Sequence, residues 1–261
     1  MNVSEDHLLE IADRLDAVSK VVFINGPPRC GKDTFVTIAR ETIATDAAMR
    51  DTVAVNQIRV GFADELKERT HLLHRLFVRK NDKGQLELCD ISESTMVAPF
   101  DFFEKSKDLK LAEFMGVSPR QAYIDTAERL LRPVFGQHIF SRMWLDAVRR
   151  KSDLLKSANG RQSIVYVPDL GFQHEADLFA KILPSEKIAF VQIHRASCDF
   201  SKDSRRYVDM TKFGIETAIV ANNGDLESFQ EKSRTLMREL FHGIAKSHET
   251  GSKQPARMTM R

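Results

Sequence analysis

Cysteine is scarce in this chain. Cys30, Cys89 and Cys198 are the three it has in 261 residues, and they lie far apart with no Cys-x-x-Cys pair. That spacing disfavours a disulfide framework or a cysteine-built zinc site and suits a reducing compartment. Net charge is also low: 39 Lys and Arg against 37 Asp and Glu leave +2. Composition therefore demands neither nucleic acid nor a membrane as partner, although the end of the chain is locally basic. No apolar run approaches membrane-spanning length, and the acidic start at Glu5-Asp6 lacks the basic-then-apolar order of a signal peptide, so a cytoplasmic protein is expected. With 42% hydrophobic and 29% charged residues, no internal repeat and no second-domain boundary, the chain reads as one elaborated globular domain over 1–245.

What the sequence does have is a glycine loop in the right setting. Gly26-Pro27-Pro28-Arg29-Cys30-Gly31-Lys32 fits Gly-x-x-x-x-Gly-Lys. The apolar run Val21-Val22-Phe23-Ile24 before it reads as a buried strand, and Phe35-Val36-Thr37-Ile38-Ala39 after it opens an amphipathic helix. Strand, glycine loop and helix form a phosphate cradle: Gly26 and Gly31 permit close backbone approach, the amides from Arg29 to Thr34 and the helix N-terminus offer positive potential, and Lys32 reaches the outer phosphates. Asp33 occupies the position where Ser or Thr normally serves Mg²⁺, with Thr34 one residue later. A carboxylate can bind that hard cation directly or through water; the plainer reading is that Asp33 merely caps the helix, as acidic residues often do in a first turn.

Along the chain, Ser4 can cap a helix bearing Leu8, Ile11, Leu15 and Val18 on one stripe. Gln57 to Phe62 reads as a second strand, with a helix opening at Ala63. Residues 79–116 read as an irregular insertion rich in charge and turn signals. Ser118-Pro119-Arg120-Gln121 is a dense helix start, with Ser as cap, Pro first, and Gln closing a capping box; the helix is expected to run to about Val134. Arg120 in its first turn is a cation where an anion is favoured, a hint of function. Ile139, Phe140, Met143, Trp144, Ala147 and Val148 follow at helical spacing and read as core. Ser163 to Pro168 is a third strand that delivers Asp169 at its carboxyl end, where phosphate-binding folds hold an acidic residue near Mg²⁺. A helix over 176–183 and a fourth strand over 188–193 come next, closed by His194-Arg195. Residues 196–213, with Lys202, Arg205 and Arg206, read as a lid whose arginines could close over phosphates. Thr217 to Val220 is a fifth strand, Asn222-Asn223-Gly224 a turn, and 225–244 a last helix; 246–261 reads as a basic disordered tail. Five strands alternating with helices imply an α/β fold with a parallel sheet and right-handed crossovers.

Taken together, Gly31-Lys32-Asp33-Thr34, Phe62-Ala63-Asp64-Glu65-Leu66-Lys67, Ser118-Pro119-Arg120-Gln121, Asp169-Leu170-Gly171-Phe172 with Glu175-Ala176, Arg195, and Asn223-Gly224 resemble the bacteriophage deoxynucleoside monophosphate kinases, a branch of the P-loop nucleoside monophosphate kinases. The resemblance covers about residues 20–243. It implies a three-layer P-loop kinase fold with insertion and lid, a cytoplasmic enzyme (the host's cytoplasm if phage-encoded), nucleotides as partners, a possible homodimer, and transfer of the ATP γ-phosphate to a deoxynucleoside 5′-monophosphate. It assigns the donor phosphates to Lys32 and the amides of Gly26, Arg29, Cys30, Gly31, Asp33 and Thr34, with Asn223 and Gly224 also on the nucleotide. Mg²⁺ falls to Asp33, Thr34 and Asp169, the acceptor to Arg120, and phosphate contacts to Arg195 and the lid arginines. This sequence departs from the family at Gly171, where members usually carry Arg; Arg205 or Arg206 is the candidate replacement. It also departs at Asp125-Thr126-Ala127-Glu128, where a glycine-containing segment is usual.

Phosphomevalonate kinases share the Lys-Asp loop and keep another small phosphorylated acceptor in play, and a nucleotide-binding regulator without transfer activity is the reading from outside the enzymes. A GTPase is disfavoured because Asn222-Asn223-Gly224-Asp225 lacks the lysine of the guanine signature Asn-Lys-x-Asp.

Overall fold

The computed structural model describes residues 4–13, 15–46, 55–201 and 203–250. The expected contribution of Lys202 and residues 251–261 of the expected tail lie outside that range. The chain divides into two compact units, one formed by Met1–Leu15 with Val60–Lys151, the other by Asp16–Arg59 with Ser152–Arg261.

The second unit is built on a five-stranded parallel sheet of β1 (Val18–Asn25), β2 (Asn56–Arg59), β6 (Ser163–Val167), β7 (Ile188–His194) and β8 (Thr217–Ala221), in the spatial order β2-β6-β1-β7-β8. The three inner strands are apolar almost throughout because both faces are covered. On one face Val22, Ile24, Tyr166 and Val191 pack with Phe35, Val36 and Ala39 of α2 (Lys32–Thr45) and with Phe229, Met237 and Phe241 of α7 (Leu226–Thr250). Side chains alternate along a strand, so Phe23 points to the other face. There its ring lies 5.4 Å from that of Phe179 on α6 (Gln173–Ile182). Full burial of each such side chain stabilises the unit by about 1.5–3 kcal/mol. Four of the five expected strands match to within a residue or two at the carboxyl end. The second is shorter than expected, because Phe62 already belongs to a helix.

The first unit holds α1 (Glu5–Ala12), α3 (Phe62–Leu73), a small antiparallel sheet in the order β4-β3-β5 (Leu86–Cys89, Phe77–Lys80, Met96–Val97), α4 (Pro119–Asp125) and most of α5 (Ile139–Asn159). Helix α1 is capped by Ser4, whose hydroxyl accepts from His7 N at 3.3 Å, but it ends at Ala12 and Val18 starts β1 instead of extending the stripe. Residues 79–116 are more ordered than their charge suggests. A hairpin turns at Asn81 to Gly84, where the Asn81 side chain accepts from the amides of Lys83 and Gln85. Its Asn-x-x-Gly signal is legible in the sequence, but the flanking strands are too short to show a period.

Helix α4 starts where expected: Ser118 Oγ accepts from Gln121 N at 3.2 Å, with Pro119 first. Gln121 does not close the box and instead donates to Asp125 at 3.1 Å. The helix then widens into a π-helical segment over Thr126–Leu131 and resumes as an α turn over Arg132–Phe135. Pro133 explains the change, since it has no N–H for the carbonyl four residues back and its ring crowds that carbonyl. Trp144 is structural as expected: it is fully buried and donates its indole N–H to Val60 O at 2.9 Å.

Candidate functional site

In the sheet order of the second unit, the chain leaves β1 toward β2 on one side and leaves the adjacent β6 toward β7 on the other, passing β1. Loops that part in opposite directions open a crevice at the carboxyl ends of the strands, the usual ligand position in an open α/β sheet. The loops after β1, β6, β7 and β8 carry nearly all the expected site residues.

The loop after β1 runs from Gly26 to Gly31. A Cβ on Gly26 would lie 2.7 Å from both Cys30 Sγ and the Ile193 carbonyl oxygen, so the backbone passes where no side chain fits. Gly31 has φ 109° and caps α2 in the left-handed region, which favours glycine. Lys32 folds over the loop, its ammonium donating to Gly26 O at 2.6 Å and Pro27 O at 2.7 Å. Burial lowers its pKa below the ordinary lysine value, and the guanidinium of Arg205 adds to that; Cys30, Asp33 and Asp169 act in the opposite direction. Burial also raises the Cys30 thiol.

Two neighbouring loops, those after β7 and β8, hold this one in place and are tied to each other. Asn222 donates to Cys30 O at 2.8 Å, Arg195 donates to Arg29 O at 3.3 Å, and Asn223 accepts from Ala196 N at 2.7 Å. Asp33 and Thr34 are exposed in the first turn of α2, with Asp33 paired to Arg59 at 3.3 Å. No side-chain bond caps that helix, so Asp33 is not its cap. Asp169 is half-buried just past β6, close enough to Lys32 and Arg205 to act on the charge of both. Among the described residues no group of three or more His, Cys, Asp or Glu is placed to hold a metal ion. Mg²⁺ is commonly held by one or two carboxylates and substrate phosphates, and the hard oxygens of Asp33, Thr34 and Asp169 fit that pattern.

The stretch expected to be a lid is fastened to the sheet over Arg206–Asp209. Asn25, fully buried at the end of β1, donates to Leu170 O at 2.8 Å and Arg206 O at 3.1 Å and accepts from Val208 N at 3.1 Å. Gln192 donates to Val208 O at 2.8 Å, and Gln173 exchanges two bonds with the Asp209 backbone at 2.7 and 2.9 Å. Arg205 forms a two-bond fork with Asp203, while the side chain of Arg206 is exposed. Tyr207 stacks on His194 at 4.3 Å between ring centroids.

Arg120 belongs to the first unit. It donates to Asp108 at 2.6 Å, and its amide donates to Lys107 O at 3.0 Å. The structure thus gathers Gly26, Arg29, Cys30, Gly31, Lys32, Asp169, Arg195, Arg205, Asn223 and Gly224 at one end of one sheet, with Asp33 and Thr34 at the start of α2. Sequence reasoning missed Asn25, Asp203 and Asn222. A polar residue closing an apolar strand just before a glycine loop could have pointed to Asn25, and an acid two residues before Arg205 to Asp203.

No protein-family model matches the chain, and no curated protein matches it. Fold and site define an α/β protein with a five-stranded parallel sheet and a lysine-bearing glycine loop at its carboxyl end. Among the described residues no helix is long and apolar enough to cross a membrane.

Proposed function

We propose that the chain is a P-loop kinase of the nucleoside monophosphate kinase type, which transfers the γ-phosphate of ATP to the 5′-phosphate of a deoxynucleoside monophosphate. The observation that carries this reading is the set of three loops, those after β1, β7 and β8, bonded around Lys32 at the carboxyl end of the sheet. In the reaction Lys32 exchanges the loop carbonyls for donor phosphate oxygens, and the amides of Gly26 and of Arg29 to Thr34 hold the β- and γ-phosphates. Asp33, Thr34 and Asp169, together with the phosphates, would hold Mg²⁺, which would supply positive charge to the transferring group. Arg195 and Arg205 add cations beside it, and the resemblance gives Arg120 to the acceptor. Positioning two anions and neutralising the charge between them is most of the catalysis, so no protein base is required.

A second reading, transfer to another small phosphorylated acceptor, rests on the Lys32-Asp33 variant of the loop that phosphomevalonate kinases share. The two separate on one plate: ATP, Mg²⁺ and the full chain are mixed with each deoxynucleoside monophosphate and with phosphomevalonate, and products are resolved by ion exchange. Deoxynucleoside diphosphates support the first reading; turnover with phosphomevalonate alone replaces it with the second. ATP binding without any product leaves only a nucleotide-binding regulator.

A further inference from the structure

Arg205 is held with unusual completeness for a loop arginine. Its Nε and Nη2 donate to the two carboxylate oxygens of Asp203 at 2.8 and 2.5 Å, and its own amide donates to the same carboxylate at 3.0 Å. The side chains are 26% and 14% exposed. The stem of Arg205 lies directly on Gly171: a Cβ there would sit 2.4, 2.5 and 2.7 Å from Cδ, Cγ and Cβ of Arg205. The last of these atoms is fixed to the backbone, and the backbone is fixed in turn, since Arg206 N donates to Gly171 O at 3.0 Å and Asn25 ties Leu170 to Arg206. Any side chain at position 171 therefore displaces Arg205.

This fork differs from an ordinary structural ion pair in its surroundings. Arg205 stands near enough to Lys32 and Asp169 to influence both, so two cations share one half-buried end of the sheet. Asp169 and Asp203 partly balance the two cations, and a phosphate arriving there would meet both. A guanidinium has five N–H donors, and the fork uses two. The other three, both on Nη1 among them, make no hydrogen bond among the described residues, so a phosphate could take them without breaking the bonds to Asp203. We infer that Asp203 is a positioning residue that holds Arg205 over Gly171 as a second, preset phosphate-binding cation beside Lys32. The inference rests on the phosphate-binding reading of the glycine loop. It differs from a lid arginine that swings in, because Asp203 and the close approach to Gly171 fix the arginine through the chain's own contacts.

The test is ATP binding to the full chain, measured by calorimetry in Mg²⁺ for the wild type, Lys32→Ala, Asp203→Asn, Asp203→Glu, Arg205→Ala and the Asp203→Asn/Arg205→Ala pair, with melting curves alongside. Loss of a charge-assisted phosphate contact is expected to weaken binding roughly tenfold or more in Arg205→Ala. Asp203→Asn should reproduce most of that loss, Asp203→Glu should recover part of it, and the double variant should lose no more than Arg205→Ala alone. A merely structural Asp203 lowers the melting temperature and leaves ATP affinity alone. That result overturns the inference, as does tighter ATP binding in Asp203→Asn, which would make the carboxylate only a repelling charge. If instead the wild type binds no ATP, or Lys32→Ala binds it equally well, the loop reading itself fails. That outcome is distinct from a wild type whose ATP binding needs Lys32 but neither Asp203 nor Arg205.

Discussion

Both units bury polar side chains, but they use them differently. In the sheet unit, buried Asn25 and Gln192 and half-buried Arg205 and Asp203 lie at the carboxyl ends of strands, and their bonds run to loops. In the other unit His71 is fully buried within a ring of aromatics, bonded to Ala98 O at 2.7 Å and the Tyr123 hydroxyl at 2.8 Å. Phe103 and Phe114 lie 5.3 and 6.0 Å from its ring centroid. The first arrangement fixes loops at the carboxyl end of a sheet; the second closes a core. Burial of a polar group alone therefore does not mark a site: its position at the ends of strands, with donors aimed at loops, does.

The largest effect that would sharpen this contrast is in the aromatic core. Phe114 is fully buried between His71, His74, Phe103 and Tyr123. Phe114→Ala should cost about 3–5 kcal/mol in chemical denaturation, the range for a large aromatic lost from a packed core, while ATP affinity at a temperature where the variant is folded stays near that of the wild type. A loss of ATP affinity with little loss of stability would break the division of labour.

Arg120 tests whether the first unit takes any part in binding. Its pair with Asp108 is exposed, at 55% and 62%, and such pairs contribute about 0–1 kcal/mol to stability. Arg120→Ala should therefore melt close to the wild type yet raise the Michaelis constant for the monophosphate roughly ten- to a hundredfold, the value of a lost charge-assisted contact, with the constant for ATP unchanged. An unchanged constant for the monophosphate would leave this unit a purely structural role in the reaction.

The smallest effect is in pH. Burial lowers the His71 pKa below its ordinary 6.5; the Ala98 carbonyl partly offsets this, and Lys67 and His74 add to it. The unfolded chain then takes up the proton first as pH falls. Stability from this group is intact above pH 6.5 and is lost progressively from there down to the folded-state pKa. His74, lowered by burial too, contributes in the same direction. Denaturation midpoints between pH 8 and 5 should fall below about 6.5, and the slope should flatten in His71→Asn; an identical slope would mean that His71 is not the group responsible.

How much was legible follows from the same contrast. The inner strands β1, β6 and β7 are parallel and covered on both faces, so they appear in the sequence as apolar runs, and the glycine loop, Asp169 and Arg195 could be located from them. The strands β3, β4 and β5 have four, four and two residues, too few to show a period, and residues 79–116 read as irregular. The π-helical segment was hidden because its residues continue a helical pattern, and only Pro133 marked the strain. The segment after β7 looked like a mobile lid because Arg205 and Arg206 stand among polar residues. What fixes it is Asn25, 181 residues before Arg206 in the chain, together with Gln192 and Gln173. Long-range bonds from single polar side chains leave no local pattern to read.

The most direct measurement follows the transferred phosphate itself. ATP labelled at the γ-phosphorus, Mg²⁺ and the mixed deoxynucleoside monophosphates are incubated with the wild-type chain and with Lys32→Ala, whose fold is checked by circular dichroism. The account predicts label in a deoxynucleoside diphosphate with the wild type and, because the loop lysine stabilises charge on the transferring group, a loss of at least about a hundredfold in Lys32→Ala. Label that stays in ATP with the wild type, or that moves equally fast with a folded Lys32→Ala, would contradict it.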